Sequence, residues 1–195
     1  MIYFRFGGIF QMNVWSANNE VFSLVDKIKN LHHHPRLQLA TVAVEFNDGK
    51  PFIRDRFNWG KVSKFSASAK LWMPKDKRYD FLISLPGDGW NGVLNAEQRE
   101  AWLDLHLACC SAEYKPMVVE ENGKKKPVKD DFGRIQYSDE MRFDDMGNPK
   151  WKKLPLDLNT FQDNVQRYGC WSQDLLDFRS VLNEEDKRKE TFVIT

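Results

Sequence analysis

The side chains best suited to metal or thiol chemistry are concentrated near residue 106. His106, Cys109 and Cys110 form an H-x-x-C-C group within AWLDLHLACC, and on a helix these positions lie on neighbouring faces of one turn. Imidazole and thiolate are good zinc ligands, but a site needs further ligands, from Cys170, the histidines at 32–34 or a carboxylate. A Cys nucleophile would need His106 as its base. Simple burial of Cys109 in the core is the favoured alternative.

Three consecutive histidines, His32, His33 and His34, precede Pro35. The run resembles a metal-binding tract, but consecutive side chains at a helix end point in different directions. All three are therefore not expected to converge on one ion. Solvated or helix-capping histidines are the favoured interpretation, because imidazolium is stabilised near a helix C-terminus.

Basic and aromatic residues are interleaved over residues 56–78, RFNWGKVSKFSASAKLWMPKDKR. Such a segment can follow a phosphate backbone and stack bases, with Lys61, Lys64 and Lys70 as the contacts. A strand with a solvated basic face and buried aromatics is the favoured interpretation. The formal net charge of +1 gives no support for a surface that coats nucleic acid.

Apolar periodicity predicts the elements that position these residues. A first helix is expected over residues 18–31, capped by Asn18 or Asn19 and ended by Pro35. A second and longer helix begins at Asn95, where Gln98 completes a capping box, and presents one apolar side. Strands are expected near residues 39–46, 60–65 and 80–85, and a closing helix from about Leu158 to Gly169.

Residues 115–153 are rich in charge, Gly and Pro, and predict a long excursion that contains a hairpin. No internal repeat is evident in the sequence. The 195 residues favour one domain, and the 14 Phe and 7 Trp argue against a disordered chain. Three cysteines cannot build a disulfide framework, which favours a reducing compartment and a cytoplasmic location. Neither a membrane span nor a signal peptide is recognised, and Met12 is an alternative start.

Four segments in order resemble the phage metallopeptidase family, a zincin-like group of phage and prophage genomes. LVDKIKNLHHHPRLQLATVAVEF resembles its opening helix, His-Pro-x-Leu junction and first strand, and WGKVSKFSASAKLW its Gly-Lys segment. YDFLISLPGDGWNGVLNAEQREAWLDLHL is similar to the strand, Trp and long helix that lead into the metal motif. LDLNTFQDNVQRYGCW resembles the closing segment, which ends in Arg-Tyr-Gly-x-Trp. The resemblance covers roughly residues 20–171.

The family's long helix carries Asp-His-Glu-x-x-His, in which the histidines bind zinc and the glutamate polarises the attacking water. The resemblance places the motif's aspartate on Asp104. The remaining motif positions, in the order first histidine, glutamate, second histidine and third ligand, fall on Leu105, His106, Cys109 and Leu156. A shift of one residue would put His106 and Cys110 on the histidine positions, with Leu107 in place of the glutamate.

The resemblance therefore implies a degenerate zinc site with no catalytic residues and no metal. Leu105, Cys109 and Leu156 would pack together where the ion would lie, with burial of each leucine contributing on the order of 2 kcal/mol. The implied fold is a single zincin-like α+β domain over residues 18–172, with a small mixed sheet and a long central helix. Residues 1–17 would be an N-terminal extension, and residues 173–195 a C-terminal helix or solvated tail.

The leading functional expectation is a phage-encoded pseudoenzyme in the host cytoplasm that binds a host protein, such as a nuclease or defence component. One alternative is a zinc hydrolase with a rebuilt site that uses His106 with Cys109 or Cys110, together with Cys170 or Asp157. The other is a nucleic-acid-binding protein that uses Lys61, Lys64 and Lys70. The oligomeric state is left open.

Overall fold

A computed structural model describes residues 13–53, 56–121, 123–156, 158–171, 175–176 and 179–180. Short 3-10 helices lie at Leu37–Leu39 and Lys75–Lys77, and a π-helical turn at Gly89–Val93. The strands and helices follow in the order β1 (Val14–Ser16), α1 (Asn19–Lys29), β2 (Val42–Asn47), β3 (Phe52–Ile53), β4 (Arg56–Phe57), β5 (Lys61–Lys64), α2 (Ala67–Leu71), β6 (Phe81–Pro86), α3 (Ala96–Ala108), β7 (Cys110–Ala112), β8 (Tyr114–Pro116), β9 (Val118–Glu121), β10 (Lys124–Pro127), β11 (Tyr137–Met141), β12 (Trp151–Lys153) and α4 (Leu158–Tyr168).

The central sheet has four strands in the order β1-β2-β6-β5. β2 and β6 are parallel, with Val44 opposite Ile83, whereas β1 and β5 are antiparallel to their neighbours. The predicted mixed α and β class and small mixed sheet are confirmed. β1 lies within the segment that the sequence analysis assigned to an N-terminal extension, and it forms one edge of this sheet. Met12, the alternative start, lies outside the described residues.

The helix starts follow the predicted capping chemistry. The Asn18 side chain accepts a hydrogen bond from the Val21 amide at the start of α1. At the start of α3, Asn95 and Gln98 exchange hydrogen bonds in a complete capping box. Each cap satisfies backbone amides that a helix leaves unpaired, which fixes where the helix begins.

Helix α3 is buried around its whole C-terminal half, not along one side as the sequence analysis expected. Leu103, Asp104, Leu105, His106 and Leu107 are consecutive and all buried. Helices α1 and α4 and strand β7 pack against α3, and a helix that is covered on all sides shows no amphipathic stripe. The polar residues Asp104 and His106 are consequently inside the protein, where each needs hydrogen-bond partners.

The charged excursion is an antiparallel β-ribbon, defined here as residues 110–153. Its outgoing strand runs through β7, β8 and β9, and its returning strand through β10, β11 and β12, with pairs β9–β10, β8–β11 and β7–β12. The predicted hairpin is the β9–β10 end of this ribbon. Two loops, residues 129–135 and 143–149, branch from the returning strand between these pairs and are closed by isolated bridges.

These two loops have the same construction, so the expectation of no internal repeat is wrong for the ribbon. In the first loop Asp130 Oδ1 accepts from the amides of residues 132 and 134, and in the second Asp144 Oδ1 accepts from those of residues 146 and 148. Gly133 and Gly147 occupy matching left-handed positions at φ 77° and 78°. The shared pattern is only x-D-D-x-G, which is too short to stand out among so many charged residues.

The chain returns from the ribbon into α4, which ends at the predicted residue. Gly169, at φ 70°, donates its amide to the Val165 carbonyl and closes the last turn, as glycine commonly does in the left-handed conformation. Among the last residues, only 175–176 and 179–180 are described within 173–195, and Leu175 is buried. Within the described part of the chain, no helix combines the length and apolar character needed to cross a membrane.

Candidate site around Asp104

Asp104 lies on α3 and is the centre of the most highly connected polar cluster in the core. Its side chain is 0% exposed. The Oδ1 atom lies 2.6 Å from His33 Nε2 and 2.7 Å from His34 Nε2. The Oδ2 atom accepts from Asn164 Nδ2 at 3.0 Å and from Arg167 Nη2 at 2.7 Å. Four side chains from two other parts of the chain therefore converge on one carboxylate.

A tight turn after α1 places His33 and His34 next to Asp104. The His34 amide donates to the Leu31 carbonyl and the Leu37 amide to the His34 carbonyl, so residues 31–37 form two successive turns. Arg36 takes the left-handed conformation at φ 66°, which reverses the chain direction after Pro35. The His33 and His34 rings lie 4.3 Å apart, centroid to centroid, and both reach α3.

This arrangement corrects the expectation that the histidine tract is solvated or capping. It holds for His32, which is exposed, but the His34 side chain is 3% exposed and the His33 side chain 17% exposed. As expected, the three histidines do not all converge on one point, but His33 and His34 both contact Asp104 Oδ1. Both rings are largely shielded from solvent because they contact the carboxylate of Asp104, which lies 70 residues after His34 in the sequence. No local sequence pattern indicates that contact.

Helix α4 supplies the other half of the cluster. Asn164 is 1% exposed and donates both to Asp104 and to the Ala101 carbonyl, while its own Oδ1 accepts from Trp171 Nε1 at 2.8 Å. Arg167 lies one turn further along α4 and pairs with Asp104. The fixed spacing of residues 164 and 167 on one helix face allows α4 to dock on α3 in one register.

The cluster is charged on Asp104 and on Arg167. Burial alone would raise the pKa of Asp104, but hydrogen bonds from His34, His33 and Arg167 outweigh it and hold this pKa far below its ordinary value. Burial lowers the pKa of His33, and this outweighs the opposing hydrogen bond to Asp104. His33 is therefore neutral at pH 7, and an ionised carboxylate accepts a proton from each nitrogen that faces it.

An open pocket of about 240 Å³ lies beside this cluster. Residues from four parts of the chain line it, among them His33, His34, Cys110, Leu154, Asp163 and Arg167. His33, His34 and Asp104 also form a group whose potential ligand atoms all lie within 4.8 Å of one another, the one such group found among the described residues. No pattern in the sequence connects the histidine tract with Asp104.

The structure does not bring His106, Cys109 and Cys110 together as a ligand set. His106 Nδ1 lies 2.8 Å from the Trp102 carbonyl oxygen, and burial lowers the pKa of the ring, so it is neutral and donates to that oxygen. Cys109 Sγ and Cys110 Sγ each face the carbonyl oxygen four residues earlier at 3.6 Å. Burial raises the pKa of Cys110 well above its usual range, which opposes thiolate chemistry. The predicted burial of Cys109 is confirmed.

The leucines at the degenerate ligand positions have different environments. Leu105 is 1% exposed and belongs to the core, but Leu156 is 47% exposed. The expectation that Leu156 packs with Leu105 and Cys109 in place of an ion is wrong, because Leu156 lies at the surface in the link between β12 and α4. Asp157, a proposed ligand of the rebuilt site, lies outside the described residues, and Cys170 is partly buried near the end of α4.

Two of the three lysines proposed for nucleic-acid contact have internal partners. Lys64 donates to the Trp151 carbonyl, and Lys70 forms an ion pair with Asp80. Lys61 is exposed on the edge strand β5. The three lysines therefore do not form one free basic surface.

Comparisons with family models, with curated proteins and with solved structures find no match to this chain. The resemblance to the phage metallopeptidase family consequently remains a prediction from the sequence. In the structure, the quoted His-Pro junction, the long helix and the Arg-Tyr-Gly-x-Trp segment meet around Asp104. His34 and Arg167 contact its carboxylate directly, and Trp171 donates to Asn164, which donates to Asp104.

Proposed function

We propose that this chain is a phage or prophage protein with a zincin-like scaffold that does not catalyse hydrolysis and instead binds a host protein. The observation that carries this proposal is the pair of matched loops on the β-ribbon, which hold Phe132 and Met146 at 83% and 85% exposure. The partner class that the resemblance implies is a host nuclease or defence component.

The residues at the motif positions support a function other than hydrolysis. Leu105 offers no ligand atom, and His106 and Cys109 are buried with their polar atoms facing backbone carbonyl oxygens. The motif's glutamate position holds His106, which cannot supply the carboxylate that the zincin mechanism uses as its base. Asp104, which the resemblance retains, is held by four internal partners and serves to join α1, α3 and α4.

The matched loops have features of a preorganised binding surface. Each loop is closed around its first aspartate, so the tip is ordered before any partner arrives, which lowers the entropic cost of binding. Phe and Met are enriched at protein interfaces, and Met adapts well to irregular apolar surfaces. The bases of the two loops lie opposite Met117 and Glu113 of the outgoing strand, which are four residues apart and hence about 13 Å along the ribbon.

The two tips share an exposed aspartate, although the first loop also places Arg134 over the Phe132 ring, where the second loop has Asn148. Asp131 precedes Phe132, Asp145 precedes Met146, and both aspartates are exposed. Each tip therefore presents an acidic group beside an apolar side chain, which favours a protein partner with apolar pockets next to Lys or Arg. The same acidic groups disfavour contact with a phosphate backbone.

Site-specific crosslinking tests the proposal directly. A photoreactive amino acid is placed at position 132 or 146 of tag-free protein, which is then irradiated in host lysate, and crosslinked proteins are identified by mass spectrometry. Position 97 on the exposed start of α3 is the matched control, because Glu97 is exposed but lies outside the ribbon. We expect positions 132 and 146, but not position 97, to crosslink the same protein.

The dissociation constant of the purified pair then decides whether the tips carry the binding energy. Phe132→Ser and Met146→Ser should each weaken binding at least tenfold, as interface anchors do, whereas Val93→Ser, an exposed apolar position outside the ribbon, should leave it unchanged. Equal affinity in all variants would refute the role of the loops. Stoichiometric zinc that is lost on His106→Ala, together with chelator-sensitive peptide hydrolysis, would establish the rebuilt hydrolase instead.

A further inference from the structure

We propose that His33, His34 and Asp104 bind one divalent transition-metal ion of the zinc class, at a site that shares Asp104 with the degenerate motif but uses none of the motif's ligand positions at Leu105, Cys109 and Leu156. This inference does not depend on the proposed function. Its basis is the convergence of two imidazole nitrogens on one carboxylate oxygen beside an open pocket.

The three donor atoms already lie within 4.8 Å of one another. His33 Nε2 and His34 Nε2 lie 2.6 and 2.7 Å from the same oxygen, Asp104 Oδ1. Zinc–ligand bonds of about 2.0–2.1 Å in tetrahedral geometry separate neighbouring donors by roughly 3.4 Å. Each imidazole nitrogen therefore needs to move only about 0.7 Å further from Asp104 Oδ1. His33, on the pocket wall, has room for that shift.

The carboxylate is held as a metal-bound carboxylate commonly is. Asp104 Oδ2 accepts from Asn164 and Arg167, so Oδ1 is directed at the histidines and cannot rotate away. Such hydrogen bonds orient a metal ligand and are as much a part of a site as the ligands themselves. Asn164 is in turn fixed by its bonds to the Ala101 carbonyl and to Trp171.

The pocket supplies access and a fourth coordination position. His33 and His34 line the pocket directly, so an ion can reach their nitrogens from solvent, and a water molecule can complete a tetrahedral set. On coordination each neutral ring carries its remaining proton on Nδ1. The His33 Nδ1 atom is buried and has no hydrogen-bond partner among the described residues, so no contact at Nδ1 opposes a proton there.

Two nitrogens and one carboxylate oxygen select the class of ion. Imidazole suits zinc and its first-row neighbours, whereas calcium and magnesium prefer all-oxygen sites. Arg167 opposes cation binding, because its guanidinium lies 2.7 Å from the same carboxylate. The site should consequently bind more weakly than a structural zinc site, and an uncharged residue at 167 should tighten it about tenfold.

Metal titration of the tag-free full chain tests the site. The probes are Zn²⁺, followed by calorimetry, and Co²⁺, followed by its visible absorption. The variants are His33→Gln and His34→Gln, whose amides can still donate to Asp104, and Arg167→Gln. The matched control is His32→Gln, which alters the exposed neighbour in the same tract.

We expect one equivalent of zinc, binding weakened at least tenfold in His33→Gln and in His34→Gln, unchanged binding in His32→Gln, and tighter binding in Arg167→Gln. The Co²⁺ spectrum should show nitrogen and oxygen ligation without thiolate bands. No binding by the wild type, an equal loss in His32→Gln, which indicates a surface histidine tract, or thiolate bands, which indicate the cysteines, would each overturn the site. Circular dichroism of each variant establishes that it is folded, and Arg167→Gln keeps the test decisive if one glutamine variant unfolds.

Discussion

Arg167 Nη2 lies 2.7 Å from Asp104 Oδ2 and joins α4 to α3 through a carboxylate that has no exposed surface. The same carboxylate accepts from the turn after α1 through His33 and His34. Three helical segments that are distant in sequence are thus fixed by one ionised side chain. Because the hydrogen-bond donors surround both oxygens, the cluster tolerates neither loss of the charge nor loss of an acceptor.

Asp104→Asn should destabilise the protein by about 3–5 kcal/mol, as removal of one partner from a buried ion pair commonly does. The amide nitrogen would face donors on either side of the residue, from the histidines or from Asn164 and Arg167, and Arg167 would lose its counter-charge. Urea unfolding measures the change. Asp163→Asn is the control, since Asp163 is an exposed carboxylate on α4 beside the same pocket, and it should shift stability by less than about 0.5 kcal/mol. Similar effects of the two substitutions would show that Asp104 has no special role.

Stability should fall as the pH drops below about 6.5, the ordinary pKa of histidine. Burial lowers the pKa of His106 and of His33 in the folded state, so the unfolded chain takes up protons first and is favoured by acid. Each group contributes a slope of at most about 1.4 kcal/mol per pH unit between its unfolded and folded pKa values. The contribution of Asp104, whose folded pKa is also lowered, is lost only at more acidic pH, below its ordinary value of 3.8.

His106→Asn isolates one of these groups. The Asn amide can still donate to the Trp102 carbonyl in place of His106 Nδ1, but it does not titrate. Unfolding free energies measured at pH 7.5, 6.5 and 5.5 should therefore show a smaller slope for this variant than for the wild type. An unchanged slope would mean that His106 is not buried as a neutral ring.

The sequence predicted well those features that depend on neighbouring residues. The caps at Asn18 and Asn95, the stop at Gly169 and the buried strand near residues 80–85 all follow from local chemistry and periodicity. The cluster at Asp104 was missed because it depends on how α1, α3 and α4 dock. The sequence around an aspartate in a helix does not indicate such docking. The one-sided character expected for α3 was wrong for the same reason.

Leu156 and the matched loops show a second limit. Leucine commonly indicates burial, but Leu156 follows Pro155 in a connecting segment, where chain geometry and not hydrophobicity decides exposure. The loops at residues 129–135 and 143–149 share few identical residues, and their likeness lies in backbone hydrogen bonds that side-chain periodicity does not reveal. Phe132 would have been read as a core residue from its type alone, yet it is among the most exposed apolar side chains described.

Cys170 should react with a thiol reagent faster than Cys109 or Cys110 in the folded protein. Cys109 and Cys110 are buried and Cys170 is only partly buried, and burial raises the pKa of Cys110, which lowers its thiolate fraction. Mass spectrometry after a timed exposure to iodoacetamide gives the order, and urea-unfolded protein should be labelled at all three. Protection of Cys109 and Cys110 is expected without any metal, so only protection that a chelator removes would favour the rebuilt zinc site.

Gly133→Ala and Gly147→Ala should each destabilise the protein by about 1–2 kcal/mol, the cost of placing a side chain in the left-handed conformation. An added Cβ meets nothing within 4 Å at either position, so the cost is conformational and not steric. Gly92→Ala is the matched control, because it also opens onto empty space but has no positive φ. Chemical unfolding gives the energies, and amide exchange at residues 132, 134, 146 and 148 reports whether each loop loosens. Because the two loops share φ values and hydrogen bonds, their costs should agree within about 0.5 kcal/mol, and a loss confined to one loop would show that they are not structural equivalents.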